Sequence, residues 1–258
     1  MSTPSRIAGD FLSLLESRQM ASLNLPRELP SQTEATTVFA FRFADGVLVA
    51  GDRRATAGNI IVTDSVEKII EIGSTAVLAI AGVPAMAFEM ARVLQTSFEY
   101  YRRSQLQPLS LAAKVRALAK LLRDNLSMTL QGVGIVAPIF AGLDPTRPDE
   151  AAKIYFYDPL GAQFQHLEFA ASGSGSSTVK SVLTHQLRFG SPKPAELDRK
   201  AAVALALELL ATASSLDSAT GGVDPQRGLF ADIRVLAVDG IVRIGEDEQS
   251  NAFKGGKR

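Results

Sequence analysis

Cysteine and tryptophan are absent from this sequence of 258 residues, and histidine occurs only twice. Without cysteine the chain cannot form disulfides, thiolate zinc sites or iron–sulfur clusters, and it cannot use a cysteine nucleophile. His166 and His185 lie far apart in sequence, so a histidine-rich metal site is excluded and a Ser-His-Asp triad would depend on one of them. We interpret both as ordinary surface or half-buried side chains. Most familiar hydrolase mechanisms are thereby excluded.

An excess of charge of one sign is also lacking, because 27 lysines and arginines are balanced by 27 aspartates and glutamates. A protein that binds nucleic acid usually has a basic excess or stripe, so we expect no nucleic-acid partner. The longest uncharged stretch, residues 125–143, is too polar to cross a bilayer, and the N-terminal residues show no secretion signal. These absences predict a cytoplasmic protein without a membrane partner.

The pattern of apolar and polar residues changes near residue 36. Before that point, apolar residues recur at helical spacing over residues 7–15, and prolines and a polar run then interrupt the pattern. This predicts a short amphipathic helix on a flexible leader. After that point, residues 37–43 alternate as in a strand, and Asp45-Gly46 predicts a tight hairpin.

Strands and helices then follow in groups. The predicted strands are residues 47–50, 59–63, 66–72, 75–81, 135–143, 152–157, 163–170, 231–238 and 241–244, and the predicted helices are residues 84–103, 110–131, 176–187 and 195–214. This order predicts an α+β fold in which two antiparallel sheets pack face to face and helices cover both outer faces. We expect residues 245–258 to form a flexible polar tail.

Three short clusters contain the residue types that a hydrolase needs. They are Ala35-Thr36-Thr37, which opens a strand, Gly51-Asp52-Arg53-Arg54, which ends its partner, and Lys68. Each cluster alone is common in strands and turns. When Thr36 is counted as position one, however, Asp52 is at position seventeen and Lys68 is at position thirty-three.

With this spacing the chain resembles the β subunits of the proteasome core particle, which are N-terminal nucleophile hydrolases. The resemblance continues in Gly173-Ser174-Gly175-Ser176, in Asp217-Ser218-Ala219-Thr220-Gly221-Gly222 and in Arg227-Gly228-Leu229-Phe230. It is greatest to the actinobacterial type. It implies a four-layer αββα sandwich over residues 36–244 and the activity of a threonine endopeptidase that degrades unfolded, tagged proteins.

The resemblance also implies roles for individual residues. Thr36 corresponds to the nucleophile, and Lys68, paired with Asp52, supplies the positive charge beside its hydroxyl. Ser174, Asp217 and Thr220 would support the amine, with threonine at 220 where the family usually has serine. Gly82 and Thr56 would bind the oxyanion and the substrate backbone. The specificity pocket would be lined by Ala55, Val62, Val66, Ile70 and Ile80.

Elementary chemistry supports the same nucleophile. A threonine hydroxyl needs a base, and without cysteine or a suitable histidine the economical base is the α-amino group of the threonine itself, with a reference pKa of about 7.7–8.0. That group exists only if the chain is cut between Ala35 and Thr36. Residues 1–35 are therefore predicted to be a propeptide removed by autoprocessing. The family usually has glycine before the threonine, so Ala35 predicts slower processing. This chemistry needs no metal and no organic cofactor.

The resemblance implies a large assembly. Seven copies would form a β ring, two β rings would stack, and rings of an α subunit would cap them in an α7β7β7α7 particle served by an ATP-dependent unfoldase. Two alternatives stay open. One is the related two-ring bacterial peptidase without α rings, which usually has Gly-Asp-Gly-Gln at residues 51–54. The other is a non-catalytic structural β subunit, although such subunits generally lack the threonine or the lysine.

Overall fold

The computed structural model describes residues 36–57, 60–147, 150, 152–165 and 167–255. The predicted leader, including Ala35, and His166 lie outside the described residues.

The first sheet contains the strand that follows Thr36. Its strands are all antiparallel to their neighbours, and Phe39 at its centre lies opposite both Ala50 and Ala171. The order across the sheet is β10-β1-β2-β11-β12, where β1 is Thr37–Phe43, β2 is Gly46–Gly51, β10 is Phe169–Gly173, β11 is Asp232–Ala237 and β12 is Gly240–Arg243. The predicted hairpin between β1 and β2 is present, but its two turn residues are Ala44 and Asp45, and Gly46 is the first residue of β2, opposite Phe43.

The second sheet has the order β5-β6-β7-β8-β9 and is also antiparallel. Its strands are β5 Ile69–Glu71, β6 Ala76–Ala79, β7 Ile139–Gly142, β8 Lys153–Tyr157 and β9 Gln163–Phe164. A separate hairpin is formed by β3 Ala55–Ala57 and β4 Ile60–Thr63.

The described helices are α1 Pro84–Gln105, α2 Leu111–Asp124, α3 Leu126–Leu130, α4 Ser176–Phe189, α5 Arg199–Leu216 and α6 Glu246–Gly255. The first of them begins with proline at its first position, where the missing N–H is not needed. Among the helices of the described residues, none combines the length and the apolarity that a bilayer span requires.

Three apolar clusters separate four layers. Small and β-branched side chains such as Val38, Val49 and Ala79 fill the space between the two sheets. Helices α4, α5 and α6 cover the outer face of the first sheet around Phe39 and Phe41, and α1 and α2 cover the second. The predicted αββα sandwich is confirmed.

Two predicted elements are divided in the structure. Residues 163–170 were expected to form one strand, but β9 belongs to the second sheet and β10 to the first. The expected helix over residues 110–131 is interrupted at Asn125, whose side-chain amide donates to the carbonyl of Gly134 at 2.7 Å. The first division depends on pairing with strands of two different sheets, and the second depends on a side-chain bond between residues nine positions apart. Local periodicity reports neither. The short strand β3 was not predicted.

The expected flexible tail is wrong for residues 246–255. These residues form α6, and Gln249 is only 2 % exposed. Its side-chain oxygen accepts from the N–H of Ala231 at 3.0 Å, and its amide donates to the carbonyls of Ala231 and Ile244, both at 3.1 Å. Ala252 and Phe253 pack against the core. A mostly polar sequence therefore docks because one amide satisfies three buried backbone groups.

Gln249→Ala is expected to destabilise the subunit by about 1–3 kcal/mol, because it leaves buried backbone groups at the start of β11 without partners. The matched control is Glu248→Ala on the same helix, which removes only a partly exposed ion pair with Arg199. Thermal unfolding of the three proteins measures the difference. Equal melting temperatures for Gln249→Ala and the wild type would contradict this role.

Candidate active site

The site lies where β1 begins and β2 ends. Thr36 immediately precedes β1, is 6 % exposed, and lines a pocket together with Lys68 and Gly82. Its carbonyl oxygen accepts from the N–H of Ser174 at 2.9 Å. This hydrogen bond from the residue after β10 therefore fixes the backbone of the predicted nucleophile.

Asp52 is the most completely bonded side chain of the site. Its Oδ1 accepts from Lys68 Nζ at 2.6 Å and from the N–H of Thr37 at 2.8 Å. Its Oδ2 accepts from the N–H groups of Arg54 at 3.0 Å and Gly221 at 2.8 Å. The carboxylate is 1 % exposed, so its charge is tolerated because these four donors meet its hydrogen-bonding capacity.

Lys68 is the cation of this buried pair and is 3 % exposed. Burial lowers the pKa of Lys68 below its ordinary value, and the attraction of the Asp52 carboxylate opposes that effect. The nearby Arg54 guanidinium lowers the pKa further, but it is itself paired with Asp64 at 2.8 Å. The structure therefore places the buried ammonium group of Lys68 in a pocket that Thr36 also lines. A positive charge acts more strongly on neighbouring groups when it is buried than when it is in water.

A second polar cluster surrounds Asp217, directly after α5. Its Oδ2 accepts from the hydroxyls of Ser174 and Thr220, each at 2.6 Å, and its Oδ1 accepts from the N–H of Ala219 at 3.0 Å. Partial burial raises the pKa of Asp217, but these hydrogen bonds outweigh it and hold that pKa below its ordinary value. The three residues predicted to support the amine are thus brought together.

Thr37 joins the two clusters, and sequence reasoning missed it. Its hydroxyl lies 2.6 Å from that of Thr220 and accepts from the N–H of Gly175 at 2.9 Å. Because Thr220 donates its hydrogen to Asp217, the hydroxyl of Thr37 donates to Thr220. Through its own N–H, Thr37 also bonds to Asp52. One residue of β1 therefore connects the Asp217 cluster to the buried ion pair.

Two glycines permit the close approach of these segments. Gly173 has a φ of +93°, and a Cβ there would lie 1.7 Å from the carbonyl oxygen of Thr36. Gly82 has a φ of +110°, and a Cβ there would lie 2.2 Å from the carbonyl oxygen of Ile135. Both conformations favour glycine, and in both places a side chain would displace backbone next to the pocket.

The pocket wall agrees only partly with the predicted specificity pocket. Ala55, Val66 and Ile80 line it, together with Arg54, Thr56, Pro84 and Phe88. Val62 is 64 % exposed on β4, and Ile70 packs toward the helices of the second sheet, so neither belongs to the wall that the described residues form. Pro84 and Phe88 were missed; they are four residues apart on α1, so they share one helix face.

Thr56 differs from the other polar side chains of the pocket. Its Oγ1 is buried and has no hydrogen-bond partner among the described residues. A buried hydroxyl without a partner costs free energy unless a ligand supplies one. This fits the predicted role of Thr56 in binding a substrate backbone. Within the same described part of the chain, no cluster of histidine and carboxylate groups could hold a metal ion.

Comparison with known proteins agrees with this geometry. The family model described as proteasome subunit matches residues 33–224. The chain belongs to the proteasome subunit family. It is similar to a proteasome subunit beta of Stackebrandtia nassauensis, with 36% identity over 93% of this chain and 87% of the relative. A proteasome subunit beta of Acidimicrobium ferrooxidans is 37% identical over 82% of this chain and 74% of its own length.

A third relative, proteasome subunit beta 2 of Thermomonospora curvata, is 35% identical over 92% of this chain and 84% of its own length. The resemblance inferred from the spacing of Thr36, Asp52 and Lys68 is therefore confirmed at the level of the family and its β subunits. The family also accounts for the two packed sheets between helical layers.

Lys68→Ala is expected to lower peptidase activity by at least about a hundredfold, the loss typical when one stabilising group of a transition state is removed. Lys68→Arg should not restore activity, because a planar guanidinium does not replace a compact ammonium beside Asp52. Each variant is produced with Thr36 exposed by an added protease site, so that processing and turnover are measured separately. Lys120→Ala on α2 is the control, because its ion pair with Asp124 is exposed. Normal turnover by Lys68→Arg would contradict the proposal that a compact ammonium group at residue 68 stabilises the transition state.

Proposed function

We propose that this chain is a catalytic β subunit of a proteasome core particle and that Thr36 is the nucleophile of a threonine endopeptidase. The observation that carries the proposal is the placement of Thr36 in one pocket with Lys68, whose ammonium is held by the buried carboxylate of Asp52 at 2.6 Å. A structural β subunit has no need of a buried, costly ion pair beside a threonine hydroxyl.

The reaction begins once Thr36 is the first residue. Its α-amino group accepts the hydroxyl proton, and Oγ1 attacks the carbonyl carbon of a substrate peptide bond. The ammonium of Lys68 stabilises negative charge on Oγ1, and the backbone at Gly82 stabilises the oxyanion. The protonated amine then donates to the leaving amino group, and an ester remains on Thr36.

Hydrolysis of that ester completes the cycle. The α-amino group now removes a proton from water, the water oxygen attacks the ester carbonyl, and the peptide acid leaves as Thr36 regains its proton. The hydroxyls of Ser174 and Thr220, held by Asp217, form the polar surroundings of the amine. The hydroxyl of Thr56, which has no hydrogen-bond partner among the described residues, binds the substrate backbone in this proposal. No metal or organic cofactor takes part in these steps.

The same hydroxyl performs the processing step. Thr36 Oγ1 attacks the carbonyl carbon of Ala35, and its proton passes to the nitrogen of Thr36 as the peptide bond breaks, so that an ester replaces that bond. Water then hydrolyses the ester, which returns the hydroxyl to Thr36 and releases residues 1–35 as the propeptide. Alanine at 35 restricts the backbone more than the glycine usual in the family, so processing is slower than with glycine.

Membership of the family supports a multi-subunit assembly. The relatives are described as proteasome β subunits. By extension, this chain forms a heptameric ring, two such rings stack between rings of an α subunit, and an ATP-dependent unfoldase delivers unfolded proteins. We place this particle in the cytoplasm.

Assembled protein is expected to begin at Thr36, with the sequence Thr-Thr-Val-Phe, because only processing exposes the α-amino base. Intact mass after co-expression with an α subunit checks this. Thr36→Ala should assemble but retain residues 1–35, and Ala35→Gly should be processed faster than the wild type. Active particles whose subunits all begin at Met1 would refute the mechanism.

The pocket is expected to favour leucine, tyrosine or phenylalanine before the cleaved bond. Ala55, Val66 and Ile80 form an apolar wall, and burying an apolar substrate side chain against it contributes roughly 1.5–3 kcal/mol of favourable free energy. Fluorogenic peptides ending in leucine or tyrosine should be cleaved at least about tenfold faster than those ending in arginine or glutamate, equivalent to about 1.4 kcal/mol. Ile80→Glu should raise the rate on the arginine peptide selectively. Equal wild-type rates on all four peptides would contradict an apolar pocket.

A further inference from the structure

A further buried carboxylate, that of Asp232, bonds to the backbone of Lys68. Asp232 is the first residue of β11 and pairs with Gly51, the residue before Asp52. Its Oδ2 accepts from two consecutive backbone N–H groups, those of Lys68 at 3.1 Å and Ile69 at 3.0 Å. A side chain of the first sheet thus holds the residue from which the ammonium group projects, at the entry to β5 of the second sheet.

Arg234 completes this arrangement two residues further along β11. Its Nη1 donates to Asp232 Oδ1 at 2.6 Å, and its Nε donates to Glu71 Oε1 at 2.8 Å. The Asp232 and Arg234 side chains are 0 % and 4 % exposed. Glu71 is the last residue of β5, so side chains of β11 bond to both ends of that short strand. Asp232 bonds to the backbone of residues 68 and 69, and Arg234 bonds to the side chain of residue 71.

We propose that Asp232 and Arg234 are positioning residues for the catalytic ammonium group of Lys68. This inference rests on the proposed function. In the proposed mechanism, Lys68 Nζ must reach both the Asp52 carboxylate and the hydroxyl of Thr36. A displacement of the Lys68 backbone by a fraction of an ångström changes the distance from Nζ to each of these groups. Apart from the Asp232 bonds, the backbone of Lys68 is held by its carbonyl, which accepts from the N–H of Ile80 at 2.9 Å.

The chemistry of the pair explains why two charged groups are used. A carboxylate accepts two N–H bonds more strongly than a neutral oxygen does, but a buried carboxylate needs a cation. Arg234 supplies that cation through a planar guanidinium with several donors, and its second bond, to Glu71, fixes its orientation. Neither residue lines the pocket as the described residues form it, so neither touches the substrate.

The test compares Asp232→Asn and Arg234→Gln with the wild type in assembled particles. Active sites are counted by titration with a slowly hydrolysed acylating inhibitor, and kcat and KM are measured per titrated site. We expect kcat per site to fall at least about tenfold in both variants, the effect of a small misplacement of a catalytic group. KM should stay within about twofold of the wild-type value, because the residues that line the pocket are unchanged.

Conservative and remote variants separate positioning from general stability. Arg234→Lys keeps a cation for Asp232 but loses the planar guanidinium that also bonds to Glu71, so it should recover only part of the kcat lost in Arg234→Gln. Arg199→Gln removes a partly buried ion pair between α5 and α6, far along the chain from the site, and should leave kcat per site unchanged. If Asp232→Asn does not assemble, the two Arg234 variants decide the question.

The outcomes distinguish this inference from the proposed function. Wild-type kcat per site in Asp232→Asn or Arg234→Gln, with only a lower melting temperature, would overturn the positioning role and show a purely structural ion pair. Activity of a Thr36→Ala particle would instead overturn the proposed function itself. Loss of kcat together with an unchanged KM, with kcat partly restored in Arg234→Lys relative to Arg234→Gln, supports positioning.

Discussion

The buried pair of Asp52 and Lys68 is the interaction on which the rest of the site depends. Removing two charges from water is costly, and the cost is met only when every donor and acceptor is satisfied. Asp52 achieves this with the N–H groups of Thr37, Arg54 and Gly221 in addition to the ammonium. These donors come from three separate segments, so the pair fixes their mutual positions as well as its own charge.

The surrounding architecture can be understood as the means of bringing those segments together. The first sheet supplies β1 and β2, whose ends carry Thr36 and Asp52, while the second sheet supplies Lys68 at the entry to β5. Small side chains between the sheets, such as Ala40 and Ala79, let the two layers approach closely enough for one ion pair to span them. The geometry of the candidate site is therefore a consequence of how the two sheets pack.

The sequence was most informative where the spacing of residues matches a known family, and least informative where segments far apart in the chain meet. The spacing of Asp52 and Lys68 from Thr36 matches that of the proteasome β subunits, and the structure pairs the two side chains at 2.6 Å. Thr37 was missed because its hydroxyl partners come from residues more than a hundred positions away. The division of residues 163–170 between two sheets, and the docking of α6 through Gln249, likewise depend on long-range hydrogen bonds that hydrophobic periodicity does not encode.

The position of Thr36 is set by bonds that do not involve the peptide to be cut. Its carbonyl accepts from Ser174, and the next residue, Thr37, donates its N–H to Asp52 and its hydroxyl to Thr220. All these atoms follow the bond between Ala35 and Thr36, so cleavage of that bond leaves them in place. In the proposed mechanism, the backbone that carries the attacking hydroxyl is therefore held in the same way before and after processing. The same arrangement of residues would then serve both proposed reactions, and processing would add the α-amino group that acts as the base.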